Sequence, residues 1–214
     1  FVRQVLGWRE FVRHVHEATD GYRSLDPAGA PSALGASAPL PRAYWGEASG
    51  LACLDDVVAH VLREGYSNHI TRLMVLGNLA TLLGVSPRAL TDWFWFAYVD
   101  AFDWVVEPNV LSMATWADGG LMTTKPYVAG AAYLSRMGAE HCARCRFDPR
   151  RTTGPDACPF TALYWTFLER SAPLLASNPR MRLPLAALKK KDPDQLRALR
   201  ARADAARAAL LGDA

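Results

Sequence analysis

The sequence predicts an all-α fold. Three observations carry that prediction. Apolar residues recur at helical spacing through much of the chain, helix-start signals such as Ser86-Pro87 and Asp192-Pro193 stand where such patterns begin, and no stretch alternates apolar and polar residues as a half-buried strand does. No internal repeat is visible. With 214 residues the chain has length for one or two domains. The reading is one helical domain over 1–190, incomplete on its N-terminal side, and a flanking helix over 191–214.

The elements follow in order. From Phe1 to His16, Val2, Val5, Leu6, Phe11, Val12 and Val15 form one apolar helical stripe. The chain opens at Phe1 rather than Met, directly inside that pattern, and is expected to be a piece of a longer polypeptide. Residues 19–50 are rich in Gly, Pro, Ala and Ser and predict a long surface connection. From Cys53, Leu54, Val57, Val58, Val61 and Leu62 mark a helix. Ser67 is placed to cap the next one, with Ile70, Leu73, Met74 and Leu76 inward. Ser86-Pro87 starts a helix expected to reach about Val106 and to be buried all round, because it carries Trp93, Phe94, Trp95, Phe96, Tyr98, Phe102 and Trp104. Glu107-Pro108-Asn109 is expected to end it, with 110–126 irregular. Tyr127 to Gly138 is a short helix, 140–158 a cysteine-bearing loop, and Phe160 to Leu175 a helix broken by Asn178-Pro179. Asp192-Pro193 caps a final Ala/Arg/Leu helix, read as mostly solvated.

Composition narrows the function classes. The chain is 50% hydrophobic and 21% charged, the balance of a globular protein rather than a disordered or collagenous one. No window reaches about 18 uninterrupted apolar residues, so no membrane span is expected, and a cytoplasmic location is the expectation. The net charge of +3 says little about partners. There is no G-x-G-x-x-G, P-loop or H-E-x-x-H.

Four cysteines are too few for a disulfide scaffold at this length. Cys142-Ala-Arg-Cys145 is followed, after twelve residues, by Cys158-Pro159, and Cys53 stands far upstream. Three readings are open. Free cysteines pack as small hydrophobes, a structural zinc favours two short knuckles where only one is present, and an iron–sulfur cluster suits three loop cysteines with one distant ligand.

Seven tryptophans are accounted for mostly as core. Asp100 and Asp103 interrupt the aromatic segment, and Glu107 lies at its end. Carboxylates in such surroundings need partners. Arg72 is the natural one, and the alternative is that these groups accept hydrogen bonds from a polar heterocycle. Ser67-Asn68-His69-Ile-Thr-Arg72 places His69 and Arg72 on one helix face. A lone histidine reads as a packed or surface residue at least as readily as a catalyst. Arg144, Arg146, Arg150 and Arg151 suit either phosphate steering or a solvated loop.

Together the motifs point further. Arg3-Gln4-Val-Leu-Gly-Trp8-Arg9-Glu10-Phe11 resembles the first helix of the photolyase/cryptochrome flavoprotein domain. Tyr66-x-Asn68-His69-Ile-Thr-Arg72-Leu-Met-Val-Leu-Gly-Asn78 resembles its flavin- and lesion-facing helix, and Tyr98-Val-Asp100-Ala-Phe-Asp103-Trp-Val-Val-Glu107-Pro-Asn109 its flavin-cradling segment. With Thr124-Lys125-Pro126-Tyr127 and the four cysteines, the similarity narrows to the iron–sulfur bacterial cryptochromes and photolyases and covers residues 1–190.

The resemblance implies an all-helical FAD-binding domain with a 4Fe–4S cluster on Cys53, Cys142, Cys145 and Cys158. It implies light-driven repair of UV-damaged DNA, with (6-4) lesions favoured, by a monomer. His69, with Asn68 beside it, would face the lesion, and Glu107 would lie near flavin N5. Arg72, Asp100, Asp103 and Asn109 would hold the flavin. Trp93 and Trp45 would carry electrons, and Trp8, Met113, Lys125 and Tyr127 would line the lesion pocket. Related (6-4) enzymes carry two adjacent histidines where this sequence has Asn68-His69, and asparagine cannot act as an imidazolium acid. The family's N-terminal antenna domain, with a lumazine pigment in this branch, and its FAD-phosphate loop are expected outside this chain. A cryptochrome-like photoreceptor without repair is the alternative function. An iron–sulfur nucleic-acid-binding module, as in primase large subunits, is another.

Overall fold

The computed structural model describes residues 1–25 and 32–212, and among these every regular element is helical. Only two isolated bridges occur, Ala38 with Val85 and Asp148 with Ala157. Residues 26–31 of the expected 19–50 connection lie outside the described residues; the rest of it holds short 3-10 turns at Arg23–Leu25 and Arg42–Trp45. No helix among the described residues is long and apolar enough to cross a membrane.

A π-type turn at Arg3–Gly7 leads into α1 (Trp8–Ala18). Of the expected stripe only Val12 and Val15 are buried, while Val2, Val5, Leu6 and Phe11 stay exposed. α2 (Ala52–Glu64) buries Leu54, Val57, Val58 and Val61 and stops at Gly65. α3 (His69–Thr71) runs through a π-type stretch, Arg72–Gly77, into α4 (Asn78–Leu83). The cap is Asn68, not Ser67: Asn68 Oδ1 accepts from Thr71 N at 3.1 Å, whereas Ser67 Oγ meets the Tyr98 hydroxyl at 2.8 Å. Ile70 is exposed rather than inward, while Leu73, Met74 and Leu76 are buried as expected.

The long aromatic helix expected from Ser86 to Val106 is two helices. α5 (Pro87–Ala97) opens with Ser86 Oγ accepting from Ala89 N, and α6 (Asp103–Glu107) follows an extended Tyr98. The break has a cause. Val99 N donates to Gly65 O at 2.9 Å, Tyr98 turns to Ser67, and Asp100 is drawn to Arg72. The price is exposure: Phe96 is 70% and Val99 81% exposed, so the segment is not buried all round.

Pro108 does not end the helix, as its missing N–H suggested. It opens a π-type stretch, Pro108–Ala114, where Asn109 Nδ2 donates to Val105 O at 2.7 Å. Residues 110–114 are therefore helical rather than irregular. The short helix is α7 (Ala131–Met137), starting four residues later than expected. The cysteine segment is partly helical, as α8 (Ala139–Arg144). α9 (Pro159–Leu175), α10 (Arg182–Lys189) and α11 (Pro193–Leu211) complete the chain.

The core gathers around α4, α5 and α9. Leu76, Leu79, Leu82, Leu90, Trp93, Phe160, Leu163 and Phe167 are completely or almost completely buried in one cluster. The final helix α11 lies along α9 and buries Leu199, Ala203 and Ala206, its other faces remaining largely in solvent. Several buried polar groups of this core are paired. Asn78 exchanges hydrogen bonds with Ala129 N and O, Tyr44 donates to Leu76 O, and Thr81 Oγ1 reaches both Gly77 O and Ala114 O at 2.8 Å. At Gly77 an added Cβ would meet Ala114 Cβ at 2.9 Å and Arg72 O at 3.2 Å, so this glycine lets the two π-type stretches approach.

Candidate active site

Those two π-type stretches build the main cavity, of about 280 Å³. Widened turns of this kind recur at functional sites because they re-aim side chains that a regular α-turn would stack away. Arg72 and Leu73 come from the first stretch, and Asn109, Val110, Met113 and Ala114 from the second. Trp8, Tyr66, His69, Phe94 and Asp100 close the walls. Six residues expected at a site from sequence thus meet in one space: Trp8, His69, Arg72, Asp100, Asn109 and Met113. The lining is mostly apolar with a few convergent polar groups, the usual make-up of a ligand site. Sequence reasoning gave no site role to Phe94, Tyr66 or Val105. The first was visible as the neighbour of Trp93 and the second as the first residue of the Tyr66–Asn78 motif.

Arg72 is the hub. Its Nη1 and Nη2 donate to Asp100 Oδ1 and Oδ2 at 3.0 and 2.9 Å, and Nε donates to Ser67 O at 2.7 Å. The guanidinium lies 4.1 Å from the Tyr98 ring and 5.0 Å from that of Tyr66. Such a planar fork orients a carboxylate in a way lysine cannot. Burial pushes the Tyr98 hydroxyl up to about 12, with the Ser67 hydrogen bond opposing it. His69 stands at the rim. Burial of part of its ring, then the Arg72 charge, hold its pKa below the ordinary histidine value, so the imidazole is mostly neutral at pH 7. Asn68 next to it spends its side-chain oxygen on the helix cap.

Asp103 and Glu107 lie elsewhere. They line a second cleft of about 340 Å³ with His16, Asp20 and Gly21, and only Val105, Val106 and Asn109 of that stretch line the main cavity. Glu107 Oε2 lies 2.9 Å from His16 Nδ1, without hydrogen-bonding alignment, and Oε1 lies 3.6 Å from Arg88. Burial raises the Glu107 carboxyl pKa, against the pull of His16 and Arg88. Gly21, at φ +64°, has no room for a side chain, since a Cβ would sit 2.7 Å from Glu107 Oε2. Lys125 is half-buried, Tyr127 exposed, and neither lines the main cavity.

Aromatic rings form a row from that cavity into the core. Phe94 lines the cavity, and Trp93, fully buried, lies 5.3 Å from it and 5.3 Å from Tyr44. Trp93 Nε1 donates to Tyr44 O at 2.8 Å. Trp45, next in sequence, is 51% exposed and packs on Phe96 at 5.1 Å.

All four cysteines line one small cavity, although they come from α2, α8 and the N-terminus of α9. All are free thiols. The remaining walls are Leu51, Ala131, Leu134, Phe147 and Phe160, with His141 the one ionisable side chain besides the cysteines in the described lining. Burial, followed by the neighbouring cysteines, pushes Cys53 up to about 12, and burial likewise raises Cys158 to about 12. Four soft sulfur donors in an apolar shell, with no carboxylate among them, fit a thiolate-ligated group rather than a hard cation. Among the described residues no three such side chains converge on a single-ion site.

No family model matches the chain. It is 39% identical over 205 residues, 96% of its length, to a (6-4) photolyase of Agrobacterium fabrum, and spans 39% of that protein. An uncharacterized protein of Acanthamoeba polyphaga mimivirus is 39% identical over 64 residues, 30% of this chain and 52% of that protein. The first similarity covers nearly the whole chain, and the helical architecture agrees with it. The chain belongs to the photolyase/cryptochrome family.

Proposed function

We propose that the protein to which this chain belongs is a light-driven DNA-repair flavoprotein acting on UV-induced pyrimidine lesions, the (6-4) photoproduct in particular. The observation that carries this reading is the single cavity joining Trp8, His69, the Arg72–Asp100 pair, Asn109 and Met113, with an aromatic row leaving it. FAD, which Arg72, Asp100 and Asn109 would hold, would supply light-driven electron transfer to the lesion and back. Arg72 holds Asp100 in one orientation, so that its oxygens accept from a ring N–H. Asn109 adds a polar edge, and Trp8 and Met113 give an extruded base apolar surface to pack on. Extrusion costs a few kcal/mol, less for a damaged base. Asp103 and Glu107 would contribute from the second cleft. Lys125 and Tyr127 are proposed for the strand outside the cavity.

His69 is the proton-handling group. Neutral in the free protein, it becomes an acid when anionic charge is brought beside it. With Asn68 engaged in the cap, His69 acts without a second histidine. Trp93 and Trp45 are proposed to refill an oxidised flavin from solvent, since indole side chains oxidise readily. The cysteine site is proposed to hold a 4Fe–4S cluster, which would place the chain in the iron–sulfur branch. The antenna pigment is assigned to the portion outside this chain, and the protein is taken as a monomer.

Blue-light illumination of the reduced full-length protein with an oligonucleotide carrying one (6-4) lesion is expected to restore the pyrimidines. Trp93→Phe should abolish photoreduction of oxidised flavin while leaving repair by chemically reduced protein. An unrepaired lesion with photoreduction intact supports the photoreceptor reading, which the Asn68 cap favours. An absorption spectrum with a cluster shoulder and no flavin bands points to the nucleic-acid-binding module instead.

A further inference from the structure

We propose that the C-terminal helix α11 is part of the four-cysteine site, with Arg202 as its positioning residue. The inference rests on the reading that those cysteines hold an iron–sulfur cluster. Arg202 reaches from α11 to the segment that carries the last cysteine. Its Nε and Nη2 both donate to Ala157 O, at 3.1 and 2.9 Å. Ala157 is completely buried and directly precedes Cys158, the N-cap residue of α9. A two-pronged bond to this carbonyl fixes the peptide from which the Cys158 thiol projects.

The same guanidinium lies 5.0 Å from the Phe147 ring, and that of Arg146 lies 4.4 Å from it. Phe147 is a wall of the cysteine cavity. Asp148 N donates to Asp156 O at 2.8 Å and Cys158 N to Asp148 O at 3.2 Å, which ties the Phe147 side of the loop to the Cys158 side. Arg202 thus touches both ends of the loop that joins Cys145 to Cys158. Leu199 and Ala203 beside it are buried, so the helix presenting it is itself anchored.

Charge supplies the second argument. Among the described residues no ion pair includes Arg202, although Arg197, Arg200 and Arg207 of the same helix each pair with a carboxylate. A half-buried cation without a carboxylate is costly beside four neutral thiols. It is favourable once the thiols ionise around a metal group and the site becomes net negative. Arg202 therefore does two separable things. Its fork holds the Cys158 peptide, and its charge favours the more negative, reduced state of the site.

The test uses the full-length protein, purified without oxygen. Arg202→Met removes fork and charge, Arg202→Lys keeps the charge alone, and Arg200→Gln, which breaks the Arg200–Glu169 pair between α11 and α9, is the control for helix docking. The readouts are iron and sulfide content, the rate at which cluster absorbance is lost to a chelator, and the reduction potential. Arg202→Met is expected to lose absorbance about tenfold faster, the worth of one charged hydrogen bond, and to have a more negative potential. Arg202→Lys is expected to recover the potential but not the retention, and Arg200→Gln to match the parent. The proposal is overturned if Arg202→Met retains its cluster and potential, or if Arg200→Gln loses the cluster equally fast, which would reduce the effect to helix docking. If Arg202→Met does not fold, Arg202→Lys decides: loss no faster than the parent overturns the proposal. Absence of iron and sulfide from the parent protein would instead sink the cluster reading, and the inference with it.

Discussion

Replacing Asp100 by Asn tests the hub of the cavity. The native pair makes two charge-assisted bonds, at 3.0 and 2.9 Å, between an Arg72 side chain that is 19% exposed and an Asp100 side chain that is 45% exposed. Breaking a fully buried pair costs about 3–5 kcal/mol, and an exposed pair contributes about 0–1 kcal/mol. The solvent on Asp100 places this pair between those limits, and asparagine keeps one acceptor, which gives about 1.5 kcal/mol. For a chain of this length that is a fall in Tm of about 4 °C. Because Arg72 also holds Ser67 O and packs on two tyrosines, its own replacement should cost more. A urea-denaturation cycle of Arg72→Met, Asp100→Asn and the double variant separates the pair from the rest, and a coupling of about 1 kcal/mol is expected. A coupling below about 0.3 kcal/mol would refute the claim that this pair helps hold the break between α5 and α6.

Two further outcomes follow. Gly77→Ala should destabilise by about 1 kcal/mol, as crowding against Ala114 Cβ and Arg72 O outweighs the gain alanine brings to an open helix; a variant more stable than the parent would show that the two stretches are not closely apposed. His69 has a folded-state pKa below its unfolded one, so the unfolded chain binds more protons between the two values. Stability should fall as pH drops below about 6.5, and His69→Gln should reduce that slope in urea melts between pH 7.5 and 5.5; an unchanged slope would contradict the lowered pKa that partial desolvation and Arg72 give His69.

Much of this was legible in the sequence, and the misses share a cause. Helix existence follows from local spacing, so α2, α5, α9 and α11 were readable, and Ser86 and Asp192 cap where expected. The misses lie where a distant partner overrides local pattern. Ser67 left the cap because Tyr98 offered a buried hydroxyl. The aromatic helix broke because Gly65 O and Arg72 drew Val99 and Asp100 away. The run past Pro108 survived because its turn widened. Phe94 became a cavity wall through a backbone break that no periodicity records.

The sequence by itself determined the helical class, and the resemblance carried by its motifs implied the family, an Arg72–aspartate pair and four cysteines at one site. These rest on residue types and spacings that survive without coordinates. Only the tertiary structure decided which of the expected residues share a space. It put His69, Asn109 and Met113 in one cavity and Asp103 and Glu107 in another, although Glu107 and Asn109 are two residues apart. The physical reason is helical rotation combined with packing: Asp103 and Glu107, four residues apart, share one face, Asn109 falls on the opposite side, and only the packing of α6 against α1 and α5 sets which cavity each side meets.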